Sequence, residues 1–391
     1  VSKSFALLIT LVSTGLCVNP GRSSGQSAVI DDQHIVKQVV VFREQGRFAG
    51  WPANHGMWCW GNELLVGFSR GYHKDLGERH NIDRQRPEEF LLARSMDGGQ
   101  TWTTEFPVKQ GYLVPRGKAL HGTEMPGVPI PPLLDCVEPV DFRHPDFAMT
   151  LRMENIDGGQ SRFSYSYDRG HNWRGPFRLP DMGTPGIAAR TDYIVDGPQE
   201  ATFLLTAAKS DKEEGRVFCA RTRDGCKSFK FVSWVGEEIA GYEIMPSTVR
   251  LSATHLLTTT RVREPNSGPS WIDAYESRDN GKSWKYLNRP VKDTGAGNPP
   301  SMIRLTDGRI CLTYGYRAAP YQMFAKLSKD NGQSWSKQVL LRRDGGGTDM
   351  GYPRSLQCAD GNVVTTYYFW DKQGGPERYI AATIWDPSKI P

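Results

Sequence analysis

The sequence predicts an all-β fold: a six-bladed β-propeller with four-stranded blades, its ring closed by a strand from near the N-terminus. Three observations predict it. The pattern S-x-D-x-G-x-x-W occurs four times, as SMDGGQTW from Ser95, SYDRGHNW from Ser166, SRDNGKSW from Ser277 and SKDNGQSW from Ser328. A fifth, altered copy is TRDGCKSF from Thr222. Successive copies lie 71, 56, 55 and 51 residues apart, and a period of about fifty residues with strand-like flanks is that of a propeller blade. Alternating or apolar runs precede the copies, among them FLLARS, RFSYSY, WIDAYES and MFAKLS, and these read as strands.

Residues 1–27 read as an export signal. Lys3 is followed by FALLITLVSTGLCV, a run too short to span a bilayer comfortably. That places the chain as secreted or periplasmic. Residues 28–391 read as one propeller, with no Pro-, Gly- or Ser-rich linker to divide them. The segment HIVKQVVVF (34–42) is the strand expected to close the ring. Trp51, Trp58 and Trp60 on the first blade read as core and pocket wall, and 109–135 reads as a long loop over one face. Blade four shows STVRL, a turn and HLLTTTR before its copy of the motif; blade five shows SMIRLTDGRICLTYGY. The repeated turn therefore joins the third strand of a blade to the fourth. Its Asp can accept backbone hydrogen bonds of its own turn, its Gly allows positive φ, and its Trp offers an apolar face. The last unit, SLQCADGNVVTTYYF with RYIAATIW, supplies three strands and leaves a place for the N-terminal one.

A net charge of +5, spread without blocks along 391 residues, is a mild bias towards anionic partners and not a nucleic-acid footprint. The seven cysteines include Cys17 in the export segment; the other six are scattered singly, with no CxxC or Cys/His cluster for zinc. Cys219 and Cys226 flank one turn and are the first candidates for a disulfide, with buried free thiols as the alternative. GFSRG (67–71) matches the serine-hydrolase elbow, but no helix-period pattern follows Ser69, so the strand–turn–helix context of that motif is missing. His80 and Asp83 are two metal-ligand candidates without a third. No cofactor, metal or membrane span is expected, and the chain is expected to be a monomer.

The loops divide into two kinds. Turns within the predicted hairpins are short (TDG, ADG and the repeated motif), whereas RGYHKDLGERHNIDRQR (70–86), GTPGIAARTD (183–192), GYEIMP (241–246), RVREPNSG (261–268), GYRAAPYQ (315–322) and DGGGTDMGYPR (344–354) are long and rich in titratable and aromatic residues. Propeller topology puts the second kind on one face around the axis. Function concentrates on loops that a rigid frame positions.

On these motifs the chain resembles the sialidase (neuraminidase) superfamily, whose Asp-boxes the S-x-D-x-G-x-x-W turns match over nearly the whole of residues 28–391. The resemblance implies a glycan substrate, an exo-acting glycoside hydrolase on a terminal acidic sugar, and a set of site residues: three arginines on the substrate carboxylate, an Asp acid/base, and a Tyr nucleophile activated by a Glu. Arg261, after LLTTT, matches the second arginine, and Tyr352, in GYPRSLQ, matches the nucleophile. Asp75 and Asp83 both stand in the acid's loop. Arg317 and Arg354 both stand near the place of the third arginine. At the first arginine's F-R-I-P position the chain reads AGWP (49–52), and at the activating glutamate's position it has Met245, with Glu243 two residues early. Arg190, Asp192 and His73 complete the expected substrate-binding set. A glycan-binding propeller without catalysis and a polysaccharide lyase are the alternatives on the same fold.

Overall fold

β-Branched and aromatic residues recur through the strand segments, and Gly- and Asp-containing turns separate them, so each repeat folds as a local antiparallel sheet. The computed structural model describes residues 32–116 and 121–391; the export segment read at residues 1–27 lies outside the described residues. Six such sheets follow one another along the chain, giving the six-bladed propeller expected. In the first, Arg47–Gly50 and Met57–Trp60 both pair with Glu63–Tyr72, which pairs with Glu89–Ser95 and then Thr103–Glu105. The second contains Ala148–Arg152, Arg162–Ser166 and Arg174–Arg178. The third runs through Tyr193–Val195, Ala201–Ala208, Glu214–Thr222 and Lys230–Val235; the fourth through Tyr242–Arg250, Leu256–Arg263, Ser270–Ser277 and Lys285–Val291; the fifth through Ser301–Arg304, Ile310–Tyr316, Gln322–Ser328 and Val339–Arg342.

The sixth sheet holds Gly351–Gln357, Val363–Asp371 and Gly375–Trp385, with Ile35–Phe42 as its outer strand. That strand pairs antiparallel with Gly375–Trp385, Ile35 opposite Trp385 and Phe42 opposite Ile380. The ring is thus closed by the N-terminal strand, as the sequence predicts. Two blades depart from four strands. The first has its inner strand split by the single helical turn Pro52–His55. The second has three, because DFRHPDF ahead of Ala148 folds into turns (His144 N to Asp141 O, 3.3 Å; Phe147 N to His144 O, 3.0 Å) instead of extending.

The repeated turn is one hydrogen-bonded unit in every copy. In the first, Ser95 Oγ donates to Asp97 Oδ1 (2.8 Å) and accepts from Gly99 N (2.8 Å), and Asp97 takes the amide and hydroxyl of Thr101 (2.9 and 2.6 Å). The altered copy keeps the same frame through Thr222, Asp224 and Ser228. Burial works against the Asp97 carboxylate, but these donors hold it down at about 2. Each turn also seats its blade on the preceding one. Gly332 adopts φ +85°, and a Cβ there would lie 2.7 Å from Leu257 of the fourth blade; the matching atoms in the other intact copies face Val364, Leu65 and Cys219. The turn is therefore structural, binding blade to blade at the end of each blade away from the long loops. Cys219 and Cys226 belong to different core clusters and do not pair; the six described cysteines are free thiols.

Candidate active site

Three blades begin with a residue that precedes proline and has left-handed backbone: Trp51 (φ 61°), Met245 (φ 53°) and Tyr352 (φ 52°). Proline disfavours right-handed helical backbone at the residue before it, and left-handed backbone at a bulky side chain costs about 1–2 kcal/mol. Each breaks the register of its inner strand, between Ile244 and Ser247, between Gly351 and Arg354, and at the turn after Trp51. Such bulges re-aim side chains. Here they bring all three, from the first, fourth and sixth blades, into one buried cluster. Asn298 holds the Tyr352 turn: its Nδ2 donates to Met350 O (2.9 Å), and its Oδ1 accepts from Tyr352 N (3.1 Å). A Cβ at Gly351 would fall 2.0 Å from that Nδ2, so only glycine fits there.

Around Tyr352 stand the arginines at the ends of the second strands. Arg261 Nη1 donates to Tyr352 Oη at 3.1 Å. The Arg317 guanidinium lies 5.2 Å from the Tyr352 ring centre and donates to Met350 O (2.7 Å), Gly297 O (3.2 Å) and Tyr368 Oη. Burial works against the charge of Arg261, and Tyr242, Tyr352 and Glu214 more than restore it, so it stays a cation. Its Nε is buried without a partner among the described residues, an N–H that an anionic ligand can take.

A second tier supports this pair. Asp349 accepts from Asn81 N (2.9 Å) and Tyr368 Oη (2.8 Å), and contacts His80 Nδ1 (2.7 Å) and Arg378 Nε (2.9 Å). Burial raises the proton affinity of Asp349, but His80, Arg378 and Arg317 outweigh it and hold the carboxyl well below the usual range. Burial lowers the pKa of His80 despite Asp349, with Arg317 and Arg261 adding to the fall, so the imidazole is neutral at neutral pH. With Nδ1 held by Asp349, Nε2 is the nitrogen left for proton exchange. The His80 ring lies 6.3 Å from that of Tyr352 and 5.2 Å from Trp51. Its side chain is 24% exposed against 1% for Asp349, so His80 links the buried tier to solvent.

The other expected residues divide. Arg354 donates to Ala53 O (2.7 Å) and Thr191 O, tying the sixth blade to the first and to the connection before the third. Asp192 accepts from Thr248 Oγ1 (3.0 Å), and burial pushes its pKa to about 7 although Arg354 opposes. Arg190 pairs with Glu214 (2.6 Å) and Asn54 (3.2 Å), not with Asp192. Glu243 accepts from Thr260 Oγ1 (2.5 Å) and Tyr275 Oη (3.2 Å), inside its own blade. Asp75 is exposed and accepts from Gly77 N (3.0 Å); Asp83 pairs loosely with Lys74 (3.7 Å). From their loop it is His80 that reaches the cluster. His73 is half-buried, and burial, then Arg378, lowers its pKa. Arg261, Arg317 and Tyr352 are brought together. His80, which the sequence offered only as a metal-ligand candidate, joins them, as do Asp349, Tyr368, Arg378 and Glu214, which had not been singled out, although the Met-Gly-Tyr-Pro turn next to Asp349 and the X-Pro starts of three blades were visible signals.

A propeller with Asp-box turns and a cationic, tyrosine-bearing axis defines the class: a sialidase-like BNR propeller. Residues 138–365, more than half of the chain, match the BNR repeat-like domain, and the chain belongs to that family. No curated protein matches the sequence. Among solved structures the chain is similar to a protein of unknown function from Dyadobacter fermentans (TM-score 0.67, 19% identity, 90% of this chain and 98% of that one). It is also similar to the NanB sialidase of Streptococcus pneumoniae (0.59, 10%, 90% and 71%) and to the α-L-arabinofuranosidase Arb93A of Fusarium graminearum (0.55, 11%, 91% and 99%). At these identities the likeness is one of fold. No helix among the described residues is long and apolar enough to cross a membrane.

Proposed function

We propose that this chain is an exported glycoside-cleaving enzyme that acts on a terminal acidic sugar at the axial cluster. The observation that carries the reading is the 3.1 Å contact between Arg261 and Tyr352 Oη, two residues 91 positions apart on different blades, with Arg317 beside the same ring. Arg261 and Arg317 hold the anionic group of the sugar; guanidinium forks match carboxylate geometry. Tyr352 Oη attacks the anomeric carbon as the bond from that carbon to the leaving-group oxygen breaks; a phenol does not repel an anionic sugar as a carboxylate would, and the adjacent guanidinium faces the negative charge that the oxygen gains as its proton leaves. His80, held at Nδ1 by Asp349, takes the phenol proton at Nε2 and gives it to the leaving-group oxygen; it then takes a proton from the water that splits the glycosyl–tyrosine bond and returns it to Tyr352 Oη. The composition of residues 1–27 supports export.

One observation favours a second reading, a glycan-binding propeller without turnover: the Glu243 carboxylate is committed to Thr260 and Tyr275 and not to Tyr352. A panel of aryl glycosides, sialoside, uronide and neutral, separates the two. Turnover of an acidic member and not of neutral ones is expected. Sugar binding without turnover on any member would replace the first reading with the second.

A further inference from the structure

Beside the axis, between the first and second blades, lies a charged cluster that the proposed reaction does not use. Arg152 and its cross-strand partner Arg162 line a cavity with Glu88, Glu154, Arg116 and Phe90. Arg152 stacks on Phe90, its guanidinium carbon 4.3 Å from the ring centre. Its Nε and Nη1 are buried without a hydrogen-bond partner among the described residues. Buried donors without acceptors are unfavourable and call for a ligand or water. Burial drives the pKa of Arg152 down to about 9 although Glu88 opposes it, and that of Arg162 down to about 10. Burial also pushes Glu88 up, although Ser69 and Arg152 oppose the rise. Three arginines face two glutamates, an excess of one positive charge that an anionic group would offset.

The free space is about 10 Å³, with an adjoining 20 Å³ that shares Arg152, Arg162 and Phe90. Each part holds about one water, room for a single oxygen of an anionic group and not for a sugar ring. His121, in the connection between these blades, also lines the cavity, and its ring stacks on Trp51 at 3.8 Å. Trp51 in turn meets His80 of the axial cluster. The cavity and the axial site therefore share a wall.

We propose that Arg152 and Arg162 form a second anion subsite, which takes the carboxylate or sulfate of the sugar adjoining the one bound at the axis. The identity of this ligand rests on the glycan reading; the existence of the subsite does not. Thermal melts of the full chain in sulfate and in glucuronate, at ionic strength matched with chloride, test it. Sulfate raises melting temperatures of most proteins by exclusion, without saturation, so the signal is a saturating rise that depends on Arg152. The expected result is such a rise with at least one of the two anions, which also identifies the group preferred. It persists in Arg261→Met and falls to the chloride level in Arg152→Met. Should Arg152→Met not fold, Arg116→Gln decides, with half-saturation expected at severalfold higher anion. The proposal is overturned by a wild-type response no larger than that to chloride, by an unchanged response in Arg152→Met or Arg116→Gln, or by its disappearance in Arg261→Met. None of these outcomes depends on turnover, so failure of the axial reading on the glycoside panel leaves this test intact.

Discussion

Replacing Glu243 by Gln should stabilise the protein at alkaline pH and change little at acid pH. Burial pushes this carboxyl to about 7 from an unfolded value near 4.5, while Thr260 and Tyr275 only partly oppose the rise. The folded state therefore binds a proton that the unfolded state has released between those pH values. Stability falls as pH rises through that window, because the native state holds the extra proton. A difference of about 2.5 units at 1.36 kcal/mol per unit amounts to about 3 kcal/mol. Gln keeps an acceptor for Thr260 Oγ1 and carries no charge to desolvate, so the variant does not lose this amount. Urea unfolding at pH 5 and pH 8 measures it: the two proteins should nearly coincide at pH 5, and the variant should be more stable by about 3 kcal/mol at pH 8. Parallel pH profiles would mean that Glu243 is solvated or ion-paired in the folded protein.

Gly332→Ala forces left-handed backbone on alanine and drives a Cβ to 2.7 Å from Leu257; a loss of about 1–3 kcal/mol in urea unfolding is expected, and a loss below a few tenths would remove the turn from its blade-joining role. Asp349→Asn withdraws the carboxylate that favours the charged form of His80, so the acid limb of kcat/KM should move to lower pH; an unmoved limb would separate His80 from catalysis. The boxes' carboxylates, held low by their own turns as Asp97 and Asp279 are at about 2, stabilise above their unfolded pKa, and that contribution should fade as pH falls from about 4 towards 2 in acid-unfolding curves.

The fold was legible because its signal is local. Each Asp-box closes on itself within eight residues, and the spacing of the copies counts the blades. Even the strand closing the ring could be read from HIVKQVVVF and the three strands left at the C-terminal end. Arg261 and Tyr352 could be placed because the sialidase resemblance assigns each a position in its blade, with Arg317 and Arg354 left as alternatives for a third, and the ring sends those positions towards the axis. Asp75, Asp83 and Glu243 show where this logic ends. A loop of seventeen residues (70–86) can present any of its charges, and hydrogen bonding of Leu76 N to Asn81 Oδ1 (2.7 Å) and of Asn81 N to Asp349 folds it so that His80 points inward. Asp349 meets His80 across 269 positions, a pairing that no local pattern carries. Glu243 lies two residues from the bulge at Met245; its carboxyl turns to Thr260 and Tyr275, and register in a bulged strand is set by tertiary packing.

Steady-state kinetics of Tyr352→Phe against wild type, on whichever acidic aryl glycoside the wild type cleaves, test the axial site most directly. The substitution removes one oxygen, the acceptor of Arg261, and leaves the ring in its cluster. A fall in kcat on the order of 10²-fold or more is expected, with KM changed only severalfold. A variant turning over at the wild-type rate would contradict it.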